Sequence, residues 1–253
     1  MNRIYTRNIR FTARLQKGAQ VRTAKPPEDS FFFRVFEKNL DVANAVIDTK
    51  YLQAMKHGVL NPQDYGCLTV LDSYYCYRAA DTLLSLLSEI DDKEYPDLKR
   101  LVEVQYEGYE EYNSTFFRDW HIRTADSVNP TDTMMAYAEH EHHVMCAYPP
   151  IYTLVAMLPC YYLWPWFSQK IEESSDYEPG VYKDWFEGNY SGEDSYDSAY
   201  EIGNFIDAWQ KDGKEFDESL AGEIFSKSMN YELAAFTEAY HEAIEGKGGK
   251  SCG

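Results

Sequence analysis

One thiol stands in a setting that bears on chemistry. Cys160 lies in the middle of residues 151–171, IYTLVAMLPCYYLWPWFSQKI, the most apolar run of the chain and one dense in aromatic rings. A thiol there is either a small packing residue or a nucleophile in a dry pocket, and to attack it needs a neighbour that takes its proton. Two carboxylates sit in comparable surroundings. Asp72, in TVLDSYYCY, has apolar residues on both sides, and helical spacing puts Tyr75 and Cys76 within a turn of it. An acid so placed is costly unless paired or hydrogen-bonded, so it either bonds a neighbouring helix or serves a site. Glu232, in NYELAAFTEAY, sits where Leu233, Ala235, Phe236 and Tyr240 mark the buried side. A core-facing Glu holds a raised pKa and can carry a proton, whereas one turned outward is a solvated surface acid.

The run Glu139-His140-Glu141-His142-His143 invites a metal reading. A carboxylate-bridged di-iron site in a bundle takes Glu-x-x-His pairs from two helices and further Glu from others. Glu139 and His142 form one such pair, and no second is present. The expectation is therefore no metal, with the histidines solvated or bonded between helices. There is no Gly-rich phosphate loop and no G-x-S-x-G elbow.

The elements that must carry these residues all read as helices. Apolar residues from Phe31 to His57 fall at mostly helical spacing, Gly58 stops that segment, and Asn61-Pro62 opens the next. Helices are expected at about 63–90, 96–120, 151–171, 182–190, 195–210 and 216–244. Another, capped by Thr131 or Asp132, ends before Pro149-Pro150. No segment alternates with period two. The expected architecture is all-α, one compact bundle of seven or eight helices over residues 31–245. A basic arm (1–30) precedes it and a short tail (246–253) follows.

Composition narrows the partners. The chain has 253 residues, 44% hydrophobic, with 22 Tyr, 13 Phe and 5 Trp, enough for a large core and a ring-walled pocket. Its net charge of −18 opposes nucleic acid and anionic lipid. Residues 1–27 nevertheless carry seven Lys or Arg and no acid. That arm either lies on the acidic body or is an organellar transit segment, although it lacks the Ser enrichment of one. Five cysteines, an odd number without C-x-x-C spacing, speak against a disulfide framework and for a reducing, cytoplasmic setting. Residues 151–171 are long enough to span a bilayer by count, but their prolines and tyrosine hydroxyls mark a core helix.

Four stretches in order resemble the TenA family, the thiaminase II type of aminopyrimidine aminohydrolase. HGVLNPQDYGCLTVLDSYY resembles the family stretch ending in Asp-Ser-Tyr-Tyr, and LPCYYLW its Leu-Pro-Cys-Tyr-Trp-Leu-Tyr element. YKDWFEGNYSG and NYELAAFTEAY resemble its Tyr-x-x-Trp-Ile-x-x-Tyr-x-Gly element and its terminal Tyr-Glu-x-x-Phe-x-x-x-Tyr helix. The resemblance implies a heme-oxygenase-like all-α fold with one pocket between helices. It makes Cys160 the nucleophile, Glu232 the acid/base and Asp72 the holder of the aminopyrimidine nitrogens. Tyr75, Tyr137 and Tyr190 become pocket tyrosines, with Phe236 beside them, and Trp164 stands where the family often has another tyrosine. It implies hydrolysis of thiamin or its aminopyrimidine breakdown products without a cofactor, in a dimer or tetramer. The rival readings are a thiaminase I-like base exchange, a non-catalytic pyrimidine-binding protein and, from Glu139 and His142, a di-iron oxidase.

Overall fold

The computed structural model describes residues 22–241. Most of the basic arm and the whole of the 246–253 tail lie outside that range. Among the described residues there are ten α-helices, three short 3-10 helices and no strand. In chain order the α-helices are α1 (Phe31–Lys38), α2 (Leu40–Ile47), α3 (Lys50–Lys56), α4 (Pro62–Glu89), α5 (Pro96–Trp120), α6 (Asp132–Ala147), α7 (Ile151–Glu172), α8 (Lys183–Asn189), α9 (Asp197–Lys211) and α10 (Glu218–Glu238).

The helix count exceeds the expected seven or eight because the segment from Phe31 to His57 is three helices. Its polar residues break it. Asn39 Nδ2 donates to the Val35 carbonyl at 2.8 Å, closing α1. Thr49 caps α3 by accepting from the Leu52 N–H at 3.4 Å. Such side chains compete with the helix ladder for backbone groups. Gly58 then turns with φ +67, and a Cβ there would meet the Glu178 and Pro179 backbone at 3.0–3.2 Å. Only glycine fits that close approach.

α7 is the centre of the bundle. Every residue from Ile151 to Leu163 is buried, so it lacks a polar face, and Pro159 and Pro165 lie inside it. α10 packs along it, α6 crosses it, and α4 lies against both α5 and α6. Rings fill one side of α7: Tyr162 meets Phe32 at 4.8 Å and Phe36 at 4.7 Å, both edge-on. The other side faces the junction of α4, α6 and α10. The described part of the arm lies against α9, where Asn204 Nδ2 donates to the Ala24 carbonyl at 2.6 Å, and Arg22 pairs with Glu193, in the 3-10 turn before that helix, at 3.5 Å. No helix among the described residues is long and apolar enough to cross a membrane.

Among the described residues Cys76 and Cys160 are free and buried, and Cys146 is free and exposed.

Candidate active site

Where α4, α6, α7 and α10 meet, a cavity of about 10 Å³ remains. It is lined by Leu68, Asp72 and Tyr75 from α4, Met134 and Tyr137 from α6, Trp164 from α7, and Glu232, Ala235 and Phe236 from α10. Each helix reaches it by its own register. On α6, residues 134, 137, 138, 140, 141 and 144 are buried, and 134, 137, 141 and 144 recur every three or four positions on one face. Thr131 caps that helix by accepting from the Met134 N–H at 3.2 Å, as expected of Thr131 or Asp132.

Glu232 is 3% exposed. Its Oε1 accepts from Tyr137 Oη at 3.0 Å and its Oε2 from Trp164 Nε1 at 3.1 Å. Burial pushes its carboxyl up to about 7, the two donors pull back, and the nearby Asp72 charge raises it further. Asp72 is half-buried at the cavity wall. Its carboxyl also reaches about 7, through burial, against weak donation from Cys76 Sγ at 3.7 Å and Tyr112 Oη at 3.4 Å. Two carboxyls poised near neutrality in one site let one give a proton while the other takes one.

Cys160, one turn before Trp164 on α7, does not line the cavity. Its sulfur lies 3.8 Å from Tyr109 Oη, which donates to it. It retains 8% exposure, while residues 154–158 of the same helix have none. Burial drives its thiol well up, the Glu232 and Asp72 carboxylates push in the same direction, and Tyr109 pulls back. The resting group is a thiol, and the carboxyls that oppose its ionisation are the bases within electrostatic reach.

Asp72, Tyr75, Tyr137, Trp164, Glu232 and Phe236 are therefore brought together around one void, with Cys160 adjacent. Tyr190 is not brought there. It is half-buried after α8, and its ring lies 5.9 Å from Tyr196. From that stretch Trp185 packs behind the cavity, its ring 5.7 Å from Trp164 and stacked on Phe167 at 6.0 Å. Glu141 escaped the sequence reading because it sat inside the His-rich run. It is fully buried and accepts from Tyr75 Oη at 2.7 Å. Its position one turn after Tyr137 was the available signal. Tyr109 and Tyr112 were visible only as part of a Tyr-rich face on α5.

The histidines take other places. His140 is buried with Nε2 3.3 Å from the Ile224 carbonyl of α10, and burial lowers its pKa to about 4. A neutral imidazole donating to that carbonyl fits both facts. His142 lies 3.6 Å from Cys146 Sγ, and the His143 ring packs edge-on against Tyr148. Among the described residues no three His, Cys, Asp or Glu side chains are grouped to hold a metal.

Comparison with known proteins agrees with this fold. The profile of the TENA/THI-4/PQQC family matches residues 51–242. A TenA homologue from Pyrococcus furiosus superposes with a TM-score of 0.70 at 14% identity, covering 83% of this chain and 100% of its own. A TenA family transcription regulator from Silicibacter sp. TM1040 gives 0.68 at 12% identity, covering 84% and 97%. A putative TenA-like thiaminase from Sulfolobus solfataricus gives 0.57 at 16% identity, covering 81% and 94%. At these identities the likeness is one of fold. No curated protein sequence matches the chain.

Proposed function

Because this chain belongs to the TENA/THI-4/PQQC family, we propose that it is a thiaminase II-like hydrolase. It cleaves thiamin, or aminopyrimidine breakdown products of thiamin, to hydroxymethylpyrimidine. One observation carries the reading. The carboxyls of Asp72 and Glu232, both near 7, face the same ring-walled cavity, and both act on the Cys160 thiol beside it.

Asp72 holds the aminopyrimidine nitrogens and keeps the ring protonated, hence electron-poor. Cys160 adds to a ring carbon: the S–C bond forms and the thiol proton passes to Glu232. The ring's electron pair then expels the leaving group from the exocyclic methylene, breaking the C–N bond. An amine takes the proton back from Glu232, whereas the thiazole of thiamin leaves as a neutral ring and Glu232 releases that proton to solvent. Water adds its oxygen to the methylene and gives a proton to Glu232. When the S–C bond breaks, that proton passes to the thiolate and the thiol is restored. Aromatic walls grip a flat heterocycle and exclude bulk water.

A void of about 10 Å³ accommodates roughly one water, not a pyrimidine. Binding must therefore displace lining side chains. Met134, unbranched with three rotatable bonds and no hydrogen bond to hold it, is the lining side chain best able to give way. One structural relative is described as a TenA-like thiaminase and another as a transcription regulator. A net charge of −18 opposes DNA contact and supports the former.

The test is a mass-spectrometric product assay on thiamin and on aminomethylpyrimidine side by side, with and without pyridine or aniline. Hydroxymethylpyrimidine formed without added base is the expected result. Strict dependence on the added base makes the enzyme a base-exchange transferase instead.

A further inference from the structure

The hydrogen bonds beside the cavity continue past the residues assigned to the reaction. Glu141, on α6, is 0% exposed and accepts from Tyr75 Oη at 2.7 Å. The Tyr75 ring stacks on Tyr137 at 4.5 Å and 29°, and Tyr231 covers Tyr137 at 5.4 Å and 16°. Tyr137, held in that stack, donates to Glu232 Oε1 at 3.0 Å. We propose that Glu141 is a positioning residue: it anchors Tyr75 and, through the stack, sets the hydroxyl that Glu232 accepts. The inference rests on the hydrolase reading above and extends it to a residue that touches no substrate.

The charge state of Glu141 follows from its surroundings. The titratable groups around it are Tyr75 and Cys76 from α4, Tyr109 from α5, Tyr137 from its own helix α6, Cys160 and Tyr161 from α7, and Glu232 from α10. None is a cation. Its Oε2 is buried with no hydrogen-bond partner. An ionised carboxylate there would be desolvated and unpaired, which is costly. Burial accordingly pushes the group well above the usual carboxylate range. Glu141 is a neutral acid that accepts through one oxygen and adds no negative charge beside Cys160.

Three variants test this: Glu141→Gln, Glu141→Leu and Tyr75→Phe. Gln is neutral and keeps the accepting oxygen, so its kcat/KM should stay within about threefold of wild type. Leu removes the acceptor, and kcat should fall about tenfold or more with KM little changed. Tyr75→Phe should reproduce that loss, and combining it with Glu141→Leu should add nothing, as for two partners of one interaction. If Glu141→Leu only lowers the melting temperature and turns over normally per folded molecule, the residue is structural and the proposal fails. It fails equally if Glu141→Gln is as impaired as Glu141→Leu.

Infrared difference spectra need no turnover. Glu141→Gln at neutral pH should remove a protonated-carboxyl band, and loss of a carboxylate band instead overturns the neutral state. The Glu232 band, identified with Glu232→Gln, should shift in Glu141→Leu and in Tyr75→Phe but not in Glu141→Gln. An unshifted band in all three overturns the positioning. An inactive wild type with the expected spectra would count against the hydrolase reading alone.

Discussion

A thiol ringed by carboxyls, with no cation beside it, must surrender its proton to one of them before it can attack. That is the position of Cys160, where burial and the Glu232 and Asp72 carboxylates disfavour the thiolate. Cys160→Ser keeps the size and loses the soft, more acidic nucleophile. Turnover is expected to fall by roughly three orders of magnitude or more. Binding of hydroxymethylpyrimidine by calorimetry should stay within a few-fold, and full activity in the variant would remove the thiol from the mechanism. Trp164 tests the base. Its indole N–H donates to Glu232 Oε2 at 3.1 Å and lowers that carboxyl's pKa. Trp164→Phe deletes the donor and keeps a ring. The Glu232 pKa rises further, so the acid limb of kcat/KM should move to higher pH by roughly one unit. An acid limb that stays in place would show that Glu232 does not set it.

The helices that carry these groups are held at their ends. Asp217 caps α10 by accepting from the Ser219 N–H at 2.8 Å and the Leu220 N–H at 3.2 Å. Its own N–H donates to Tyr152 Oη of α7 at 2.7 Å. Asp217→Ala removes the side-chain cap about four turns from Glu232. Stability should drop by about 1 kcal/mol, read by denaturant unfolding, with kcat unchanged. A large loss of kcat at full stability would instead mean that the cap positions Glu232. At this scale the sequence was most readable. The long helices α4, α5 and α7 fall within a residue or so of their expected limits, because Pro62, Pro96, Pro149-Pro150 and the apolar spacing mark them, whereas α10 ends at Glu238, short of the expected 244. The break of the first segment was not readable, since Asn39 and Thr49 act through side-chain bonds rather than through glycine or proline. Asp72 and Glu232 stood out as acids in apolar stretches. Glu141 did not, because His142 and His143 beside it are exposed and the run reads as a polar face. The motif marks Tyr190, and only packing decides that Trp185 rather than Tyr190 stacks behind Trp164.

For the molecule as a whole, the acid-rich surface and the buried acids make stability depend on pH in the same direction, and they can be separated. A carboxyl raised in the folded state contributes stability below its unfolded pKa and loses it as pH rises through the folded one. For Asp72 the window runs from 3.8 to about 7, and for Glu232 from 4.5 to about 7. Across it the folded protein holds protons that the unfolded chain has released, so unfolding free energy falls as pH rises and levels off above neutrality. Repulsion within a chain of net charge −18 has the same sign. The discriminating comparison is wild type against the Asp72→Asn, Glu232→Gln double variant, which keeps the surface and removes both titrations. Between pH 4 and 8 the wild type should lose on the order of 3 kcal/mol per group more than the variant. Denaturant unfolding at a series of pH values measures it. Parallel profiles would mean that neither carboxyl carries its proton into the neutral range, and the proton transfers assigned to Glu232 would then need another residue.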